Sequence, residues 1–365
     1  MKVNTISLNS VRLNTIALNH IGEIRSGGGG SKPSPIPQWI REHVVFYYDV
    51  KKQGATNETL KESAYLQDLS GKGRRMKLNN FLFAEMSGVG GYKNDTFDNT
   101  QNSIKWELID SRTIKGKVTQ SFSDFRYYHI KDVVDNVMHI NWHIDGIQEG
   151  NKVYLSQYMH NNFKIELHNG DNHVALDVSE NTNASNYFYV SVISDQPYST
   201  DITITQIPEY PGALVTDGID DYGLVENLSS GVKMLFMTAN PMMLDAVIYD
   251  QRSTSGWHLF AVITESNKVA YNAYNSRGKT YINGTLNESR TSNELQNEKQ
   301  IITIVNSEVN ETNSLPPNFF RIRGGGLRIK LAFYNSIAFD SIPTEADGFT
   351  EQELIDYVLT NIIGQ

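Results

Sequence analysis

Three aspartates lie close together in the sequence, in the stretch Asp217-Gly-Ile-Asp-Asp-Tyr that ends at Tyr222. Carboxylate oxygens are the ligands that Ca²⁺ prefers, and the ion takes about six to eight of them. Asp217, Asp220 and Asp221 are therefore a candidate metal site for Ca²⁺, and no other cofactor is predicted. The alternative is an ordinary turn, in which aspartate side chains accept hydrogen bonds from backbone N–H groups.

Aromatic side chains are the second candidate, because they can stack on sugar rings while amide and carboxylate groups bind the hydroxyls. The sequence has four tryptophans. Trp142 alternates with Ile140 and Ile144, which predicts that it faces a core. Trp257 follows Gly256 and is the candidate glycan-binding residue, although most aromatic residues of a β-sandwich belong to its core.

Residue spacings that support catalysis are missing from the sequence. Glycosidases with concanavalin-like folds place carboxylates on one strand as Glu-x-Asp-x-x-Glu, and this string does not occur. None of the nine histidines forms a His-Glu-x-x-His motif. The sequence has no cysteine, which excludes thiolate nucleophiles, disulfides and zinc–thiolate sites. We predict no catalytic residue and expect a protein that is not an enzyme; a divergent glycoside hydrolase is the remaining enzymatic hypothesis.

The overall composition narrows the choice of partners. The formal net charge of −9 argues against a basic surface that neutralises phosphates, so nucleic acid is not expected as a partner. No stretch approaches 18 apolar residues, so membrane insertion is not expected either. The sequence contains 35 asparagines and 19 tyrosines, and such a composition favours β-strands joined by turns.

Strand patterns separate the candidate residues. Residues 43–50 form an almost continuous apolar and aromatic run, which is typical of a strand buried on both faces. Short strand candidates divided by Asn, Asp and Gly turns follow between residues 104 and 207, and this spacing predicts a small antiparallel sandwich. Further strands are predicted at 279–282 and 300–305. The one predicted helix is at the end of the chain, where Thr350-Glu-Gln-Glu is a capping box.

Asparagine recurs every five residues at the N-terminus, at Asn4, Asn9, Asn14 and Asn19. A period of five fits neither one helix nor one long strand, and about twenty residues cannot bury the accompanying apolar residues alone. Residues 1–25 are therefore predicted to dock on a partner, and packing on the rest of this chain is the alternative. The predicted docking residues are Ile6, Leu8, Val11, Leu13, Ile16, Leu18 and Ile21.

Residues 26–37 follow this docking segment as a linker. The stretch begins Ser-Gly-Gly-Gly-Gly-Ser and continues with alternating prolines. A glycine run is flexible and a proline-rich run is stiff, so the sequence predicts a flexible joint that leads into a stiffer spacer.

Two motifs resemble laminin-G-like or concanavalin-like jelly-roll domains. The first is the turn Asp68-Leu-Ser-Gly-Lys-Gly, and the second is the aspartate stretch at residues 217–222. The resemblance implies an all-β fold in which a discontinuous jelly-roll sandwich, residues 38–100 plus 209–365, is interrupted by a second small β-sandwich, residues 101–208, and preceded by an extended N-terminal anchor. Three consecutive β domains are the alternative.

The whole layout resembles fibre and head-decoration virion proteins of crAss-like phages, which infect gut Bacteroidetes. What this resemblance implies is a structural virion protein, assembled in the host cytoplasm, that forms a homo-oligomer, expected to be a trimer. It would dock on other virion proteins through residues 1–25 and expose its sandwich domains. A glycan-binding adhesion module, or receptor-binding protein, that contacts host surface glycans is the alternative function.

Overall fold

Antiparallel β-strands account for most of the secondary structure, which confirms the prediction of a β-rich protein. The structure is a computed structural model. The residues that it describes are 34–93, 97, 106–118, 122–128, 137–157, 164–177, 187–194, 200–228, 231–242, 248–250, 261–265, 268–272, 278–287, 291–292, 297–305, 317–321 and 329–364.

The described residues contain 25 strands. The first thirteen are β1 (Val44–Asp49), β2 (Tyr65–Leu66), β3 (Met76–Asn79), β4 (Gly88–Val89), β5 (Trp106–Asp110), β6 (Thr113–Val118), β7 (Phe122–Tyr128), β8 (Val137–Asp145), β9 (Asn151–Gln157), β10 (Lys164–Leu167), β11 (Gly170–Asp177), β12 (Tyr187–Ser194) and β13 (Thr200–Gln206). The others are β14 (Leu214–Val215), β15 (Tyr222–Val225), β16 (Met234–Pro241), β17 (Tyr249–Asp250), β18 (Ala261–Glu265), β19 (Lys268–Asn272), β20 (Lys279–Ile282), β21 (Thr285–Leu286), β22 (Thr291–Ser292), β23 (Gln300–Val305), β24 (Asn318–Phe319) and β25 (Leu331–Phe339).

Three α-helices accompany these strands in the described part of the chain. They are α1 (Ile36–His43), α2 (Asn57–Ser63) and α3 (Glu351–Val358), and α3 runs on into a π-helical turn, Leu359–Ile363. A 3₁₀ turn, Glu345–Asp347, precedes α3.

The chain divides into two compact units. The first contains the described residues up to Phe83, the segment Ser87–Val89, and those from Gly212 onward. The second contains Ala84–Met86 and the described residues of Gly90–Pro211. The finer boundaries predicted from the sequence, at residues 101 and 208, stay a prediction.

Two sheets bury a common hydrophobic core in the first unit. The larger has eight strands in the order β21-β20-β23-β16-β25-β14-β4, with β1 also paired to β25; the smaller has the order β17-β24-β15-β3-β2. Phe46 and Phe333 reach this core from the larger sheet, and Met76 and Phe319 reach it from the smaller. A separate three-stranded sheet, β18-β19-β22, also belongs to this unit.

The larger sheet is buried on both faces, as the side chains of its central strand β16 show. Leu235 and Met237 face the core between the two sheets. Met234 and Phe236 alternate with them and face a second core, which contains apolar side chains of α1 and α3. All six residues of β1 are buried as well. The apolar run at residues 43–50 is therefore a strand buried on both faces, as predicted.

The helices were only partly predictable. Thr350 caps α3 by the expected capping box, in which its hydroxyl accepts a hydrogen bond from Glu353 N–H and its own N–H donates to the Glu353 carboxylate. The sequence analysis missed two helices: α2, and α1, which begins inside the predicted linker and was missed because its prolines indicated an extended spacer. Pro35 and Pro37 lie at the N-terminus of α1, where the missing N–H groups cost nothing.

The second unit also has two sheets around one core. A five-stranded sheet has the order β11-β8-β13-β6-β5, and a four-stranded sheet has the order β10-β9-β12-β7. Ile140, Trp142 and Ile144 of β8 are fully buried between them, so the alternation along β8 was correctly interpreted. Gly116 lies under the ring of Trp106, where a Cβ atom would come within 2.6 Å of the indole.

Among the described residues, no helix is both long and apolar enough to span a membrane.

Candidate functional site

The three candidate metal ligands come together in one loop of the first unit, between β14 and β15. Asp217, Asp220 and Asp221 each place a carboxylate oxygen within 4.8 Å of the other two. No other group of three or more histidine, aspartate or glutamate side chains converges in this way within the described part of the chain. The sequence analysis therefore identified the one acidic cluster that the described residues contain.

Asp217 also organises the turn itself. Its Oδ1 accepts hydrogen bonds from the N–H groups of Ile219, at 2.7 Å, and Asp220, at 3.3 Å. Gly218 has a φ of 77°, and a Cβ atom there would lie 3.1 Å from Cβ of Lys330. The turn chemistry that the sequence offered as an alternative is thus present. It occupies Oδ1 of Asp217, so Oδ2 of Asp217 and the carboxylate of Asp220 are the atoms left for a ligand.

Asp221 is the buried member of the cluster, with only 2% of its surface exposed. Its Oδ2 accepts the N–H of Asp217 at 2.9 Å, and its Oδ1 accepts the hydroxyl of Ser87 at 3.1 Å. Burial raises the pKa of Asp221 from 3.8 to about 7, against the lowering effect of these hydrogen bonds, and the negative charge of Asp217 adds to the rise. Asp221 is therefore a carboxylate whose charge is poorly stabilised by its surroundings.

The segment after β3 lies against this acidic loop. Asn80 donates a hydrogen bond from its side chain to the carbonyl of Asp220 at 3.2 Å, and Leu82 N–H donates to the hydroxyl of Ser87. Leu82 and Ile219 are 65% and 66% exposed, the highest values among the large hydrophobic residues of the described chain. Two exposed aliphatic side chains and the carboxylates of Asp217 and Asp220 therefore belong to these two adjoining segments.

The cluster fits a hard cation in ligand type. Its oxygens are carboxylates, and a bound divalent ion would favour the charged form of Asp221, which burial now disfavours. With one oxygen from each residue, the cluster supplies three ligand atoms, whereas Ca²⁺ takes about six or more, so carbonyl groups or water would complete the shell. The expected affinity is accordingly low.

The described tryptophans do not form sugar-stacking surfaces. Trp39 and Trp106 are each 4% exposed and Trp142 is fully buried, so all three serve as core residues. Trp257, the candidate glycan-binding residue, lies outside the described residues. The predicted docking residues between Ile6 and Ile21 also lie outside them.

A histidine between two aspartates stands on an exposed face of the second unit. Nδ1 of His143 lies 2.5 Å from Oδ1 of Asp171, and Nε2 lies 3.2 Å from Oδ2 of Asp145. The hydrogen bond with Asp171 raises the pKa of His143 above its usual 6.5, and the negative charges of the two aspartates add to the rise. The two carboxylates bind opposite ring nitrogens, so the arrangement is a bridge between neighbouring strands rather than a set of converging ligands.

Comparison with known proteins adds no assignment: no protein-family model, no curated protein and no solved structure matches this chain.

Sequence reasoning missed several residues around the acidic loop. Ser87 is 134 positions away from Asp221 in the chain, and no local pattern connects them. Arg321, whose guanidinium lies over the ring of Tyr222, is 99 positions from its partner. The positive φ values at Asn80 and Phe83 could not be predicted from the sequence either, because glycine is the only residue that reliably indicates a positive φ. Such long-range pairings become visible only after the strands have been arranged.

Proposed function

We propose that this protein is a structural virion protein of a phage, an oligomeric fibre or head-decoration subunit that docks through residues 1–25. The observation that carries the proposal is the five-residue repeat, whose apolar residues need a partner to cover them, followed by a glycine-rich joint. The resemblance to virion proteins of crAss-like phages supplies the kind of particle, and a trimer is the expected assembly.

The β-rich architecture is compatible with this function. Two sheets around one core in the first unit support the proposal of a discontinuous jelly roll like those of laminin-G-like and concanavalin-like domains. A second compact unit within the chain supports an inserted small β-sandwich. These features concern the fold, and one fold serves many functions, so the docking segment remains the basis of the functional proposal.

Particle incorporation tests the docking segment. A variant with the seven predicted docking residues changed to serine should be missing from purified particles. A matched control changes four other residues of the same segment to alanine: Thr5, Ser7, Ser10 and Thr15. Incorporation of the serine variant at the wild-type level would overturn the proposal, whereas loss of both variants would point to the whole segment rather than to its apolar residues.

The alternative proposal is a glycan-binding adhesion module, or receptor-binding protein, that recognises host surface glycans. The observation that favours it is the end of the first unit at which Asp217 and Asp220 accompany exposed Leu82 and Ile219. A glycan array probed with the full chain, with and without Ca²⁺, tests it. Retention of no glycan under either condition would contradict this alternative and leave the docking proposal unaffected.

A further inference from the structure

An arginine–tyrosine pair lies on the smaller sheet of the first unit. Cζ of Arg321 lies 3.2 Å from the centre of the Tyr222 ring. A guanidinium over an aromatic face is held there by cation–π attraction, while the edge of its plane remains able to donate hydrogen bonds. Tyr222 therefore positions this cation in advance of any ligand.

The chain places Arg321 at this position through an unusual backbone conformation. Phe320 has a φ of 68°, and both Phe319 and Phe320 are fully buried in the core. Regular strand alternation would have turned one of the two phenylalanines outward. The left-handed conformation costs roughly 1–2 kcal/mol for a residue other than glycine. Backbone strain of this kind often accompanies functional sites.

Tyr222 and Arg321 belong to the face of the sheet that points away from the core. Gly223, the next residue of β15, faces the core, because a Cβ atom there would lie 2.6 Å from Sδ of Met76. Since successive residues of a strand point to opposite faces, Tyr222 faces outward. Arg321 is partly exposed while its Nε is buried, so a ligand would contact the two terminal Nη groups of the guanidinium.

Within the described part of the chain, the guanidinium of Arg321 has neither a hydrogen-bond acceptor nor an ion-pair partner. Its Nε is buried without an acceptor, and no carboxylate among the described residues forms an ion pair with it. Arg75 offers the contrast: it lies 4.1 Å from the centre of the Tyr65 ring and also pairs with Glu226 at 3.3 Å. Guanidinium groups match planar carboxylates through two parallel hydrogen bonds, so a carboxylate is the group that Arg321 lacks.

A hydrogen-bond acceptor lies next to this pair. Asn79 is the direct neighbour of Tyr222 across β3 and β15, so the two share the outward face. Its Nδ2 donates to the carbonyl of Lys77 at 3.2 Å, which leaves Oδ1 available. The side-chain oxygen of Asn79 suits a hydroxyl group, so the ligand that fits carries both a carboxylate and a hydroxyl.

We propose that Arg321, Tyr222 and Asn79 form a binding site for an acidic sugar of the uronic-acid class, with the carboxylate on Arg321 and a hydroxyl on Asn79. This inference rests on the alternative glycan-binding function and specifies its ligand.

Titration of the full chain with glucuronate, glucose and sulfate, followed by NMR, tests the site. Wild-type protein should bind glucuronate at least about tenfold more tightly than glucose or sulfate, since only glucuronate combines a planar carboxylate with hydroxyls. Arg321→Met should weaken glucuronate binding at least about tenfold, and Arg321→Lys should also weaken it, because lysine keeps the charge but loses the planar fork. Arg75→Met, which removes the ion-paired arginine over Tyr65, should leave glucuronate binding unchanged.

Five results would overturn the proposal. Equal glucuronate affinities of wild type and Arg321→Met would place the ligand elsewhere, as would equal losses in Arg321→Met and Arg75→Met. Sulfate binding as tight as glucuronate binding would make the site a general anion site. Retention of neutral glycans without glucuronate binding would reject this site while keeping the glycan-binding function, and retention of no glycan would reject both. Thermal melting of each variant is the control that tests whether the variant is folded.

Discussion

The hydroxyl of Ser87 donates a hydrogen bond of 3.1 Å to Oδ1 of Asp221, and both residues are 2% exposed. This contact joins two segments of the first unit that are 134 residues apart in the chain. The same hydroxyl accepts a hydrogen bond from Leu82 N–H. The other carboxylate oxygen of Asp221 accepts a hydrogen bond from Asp217 N–H. Asp221 is therefore the buried point at which the acidic loop is fixed to the segment after β3.

The stability of the protein should depend on pH through Asp221. Its pKa is about 7 in the folded protein against 3.8 ordinarily, so the folded state binds more protons between these values. The contribution of Asp221 to stability is therefore greatest at low pH and falls as the pH rises towards 7. Between about pH 5 and about pH 8 the loss should be on the order of 2–3 kcal/mol. Urea unfolding at the two pH values measures it.

Asp221→Asn is the control for this pH dependence, because asparagine does not titrate and retains one oxygen to accept a hydrogen bond. The variant should lose the part of the pH dependence that Asp221 contributes. The same change in unfolding free energy between the two pH values for both proteins would show that Asp221 titrates at its ordinary pKa.

Calcium should stabilise the acidic loop weakly. An ion that binds the folded state but not the unfolded state raises the melting temperature. About millimolar Ca²⁺ should be needed for this effect, because few protein oxygens are available as ligands. A double variant, Asp217→Asn with Asp220→Asn, should remove the calcium effect. Differential scanning calorimetry with Ca²⁺ and with a chelator measures it. An identical melting temperature under both conditions would exclude calcium binding at millimolar concentration.

His143 should titrate above its ordinary pKa of 6.5, since its hydrogen bond with Asp171 favours the charged imidazolium. Its contribution to stability is complete below about pH 6.5 and is lost as the pH rises through the raised value. An NMR titration of the imidazole protons gives the pKa directly. Asp171→Asn should lower it more than Asp145→Asn does, because Asp171 provides the largest effect. Equal titration in all three proteins would contradict the bridged geometry.

Helix α3 should contribute strongly to the stability of the first unit. Leu354 is fully buried in the core that contains side chains of α1, α3 and the larger sheet. Leu354→Ala should cost about 2–5 kcal/mol of unfolding free energy, since it removes buried methyl groups and leaves a cavity. Leu82→Ala is the matched control, because Leu82 is 65% exposed, and it should change stability by no more than about 0.5 kcal/mol. Urea unfolding distinguishes the two, and similar losses would contradict the burial of α3.

Several of the local elements could be predicted from the sequence, although two of the three described helices could not. The strands expected at residues 279–282 and 300–305 are β20 and β23 with the same bounds, and the capping box at Thr350 starts the last helix. Period-two alternation and capping depend on residues that are close in the chain, so one sequence suffices to find them. Helix α1 was missed because prolines at a helix N-terminus and prolines in a spacer have the same local pattern.

The candidate site also has some features that the sequence indicated and others that only the tertiary structure shows. The spacing of Asp217, Asp220 and Asp221 by itself indicated an acidic loop, and the alternation along β8 by itself indicated that Trp142 is buried. The tertiary structure alone decided that Asp221 is buried against Ser87 and that Arg321 lies on Tyr222. The physical reason is that a turn forms from adjacent residues, whereas burial, a raised pKa and a long-range pair all depend on which strands become neighbours in the sheets.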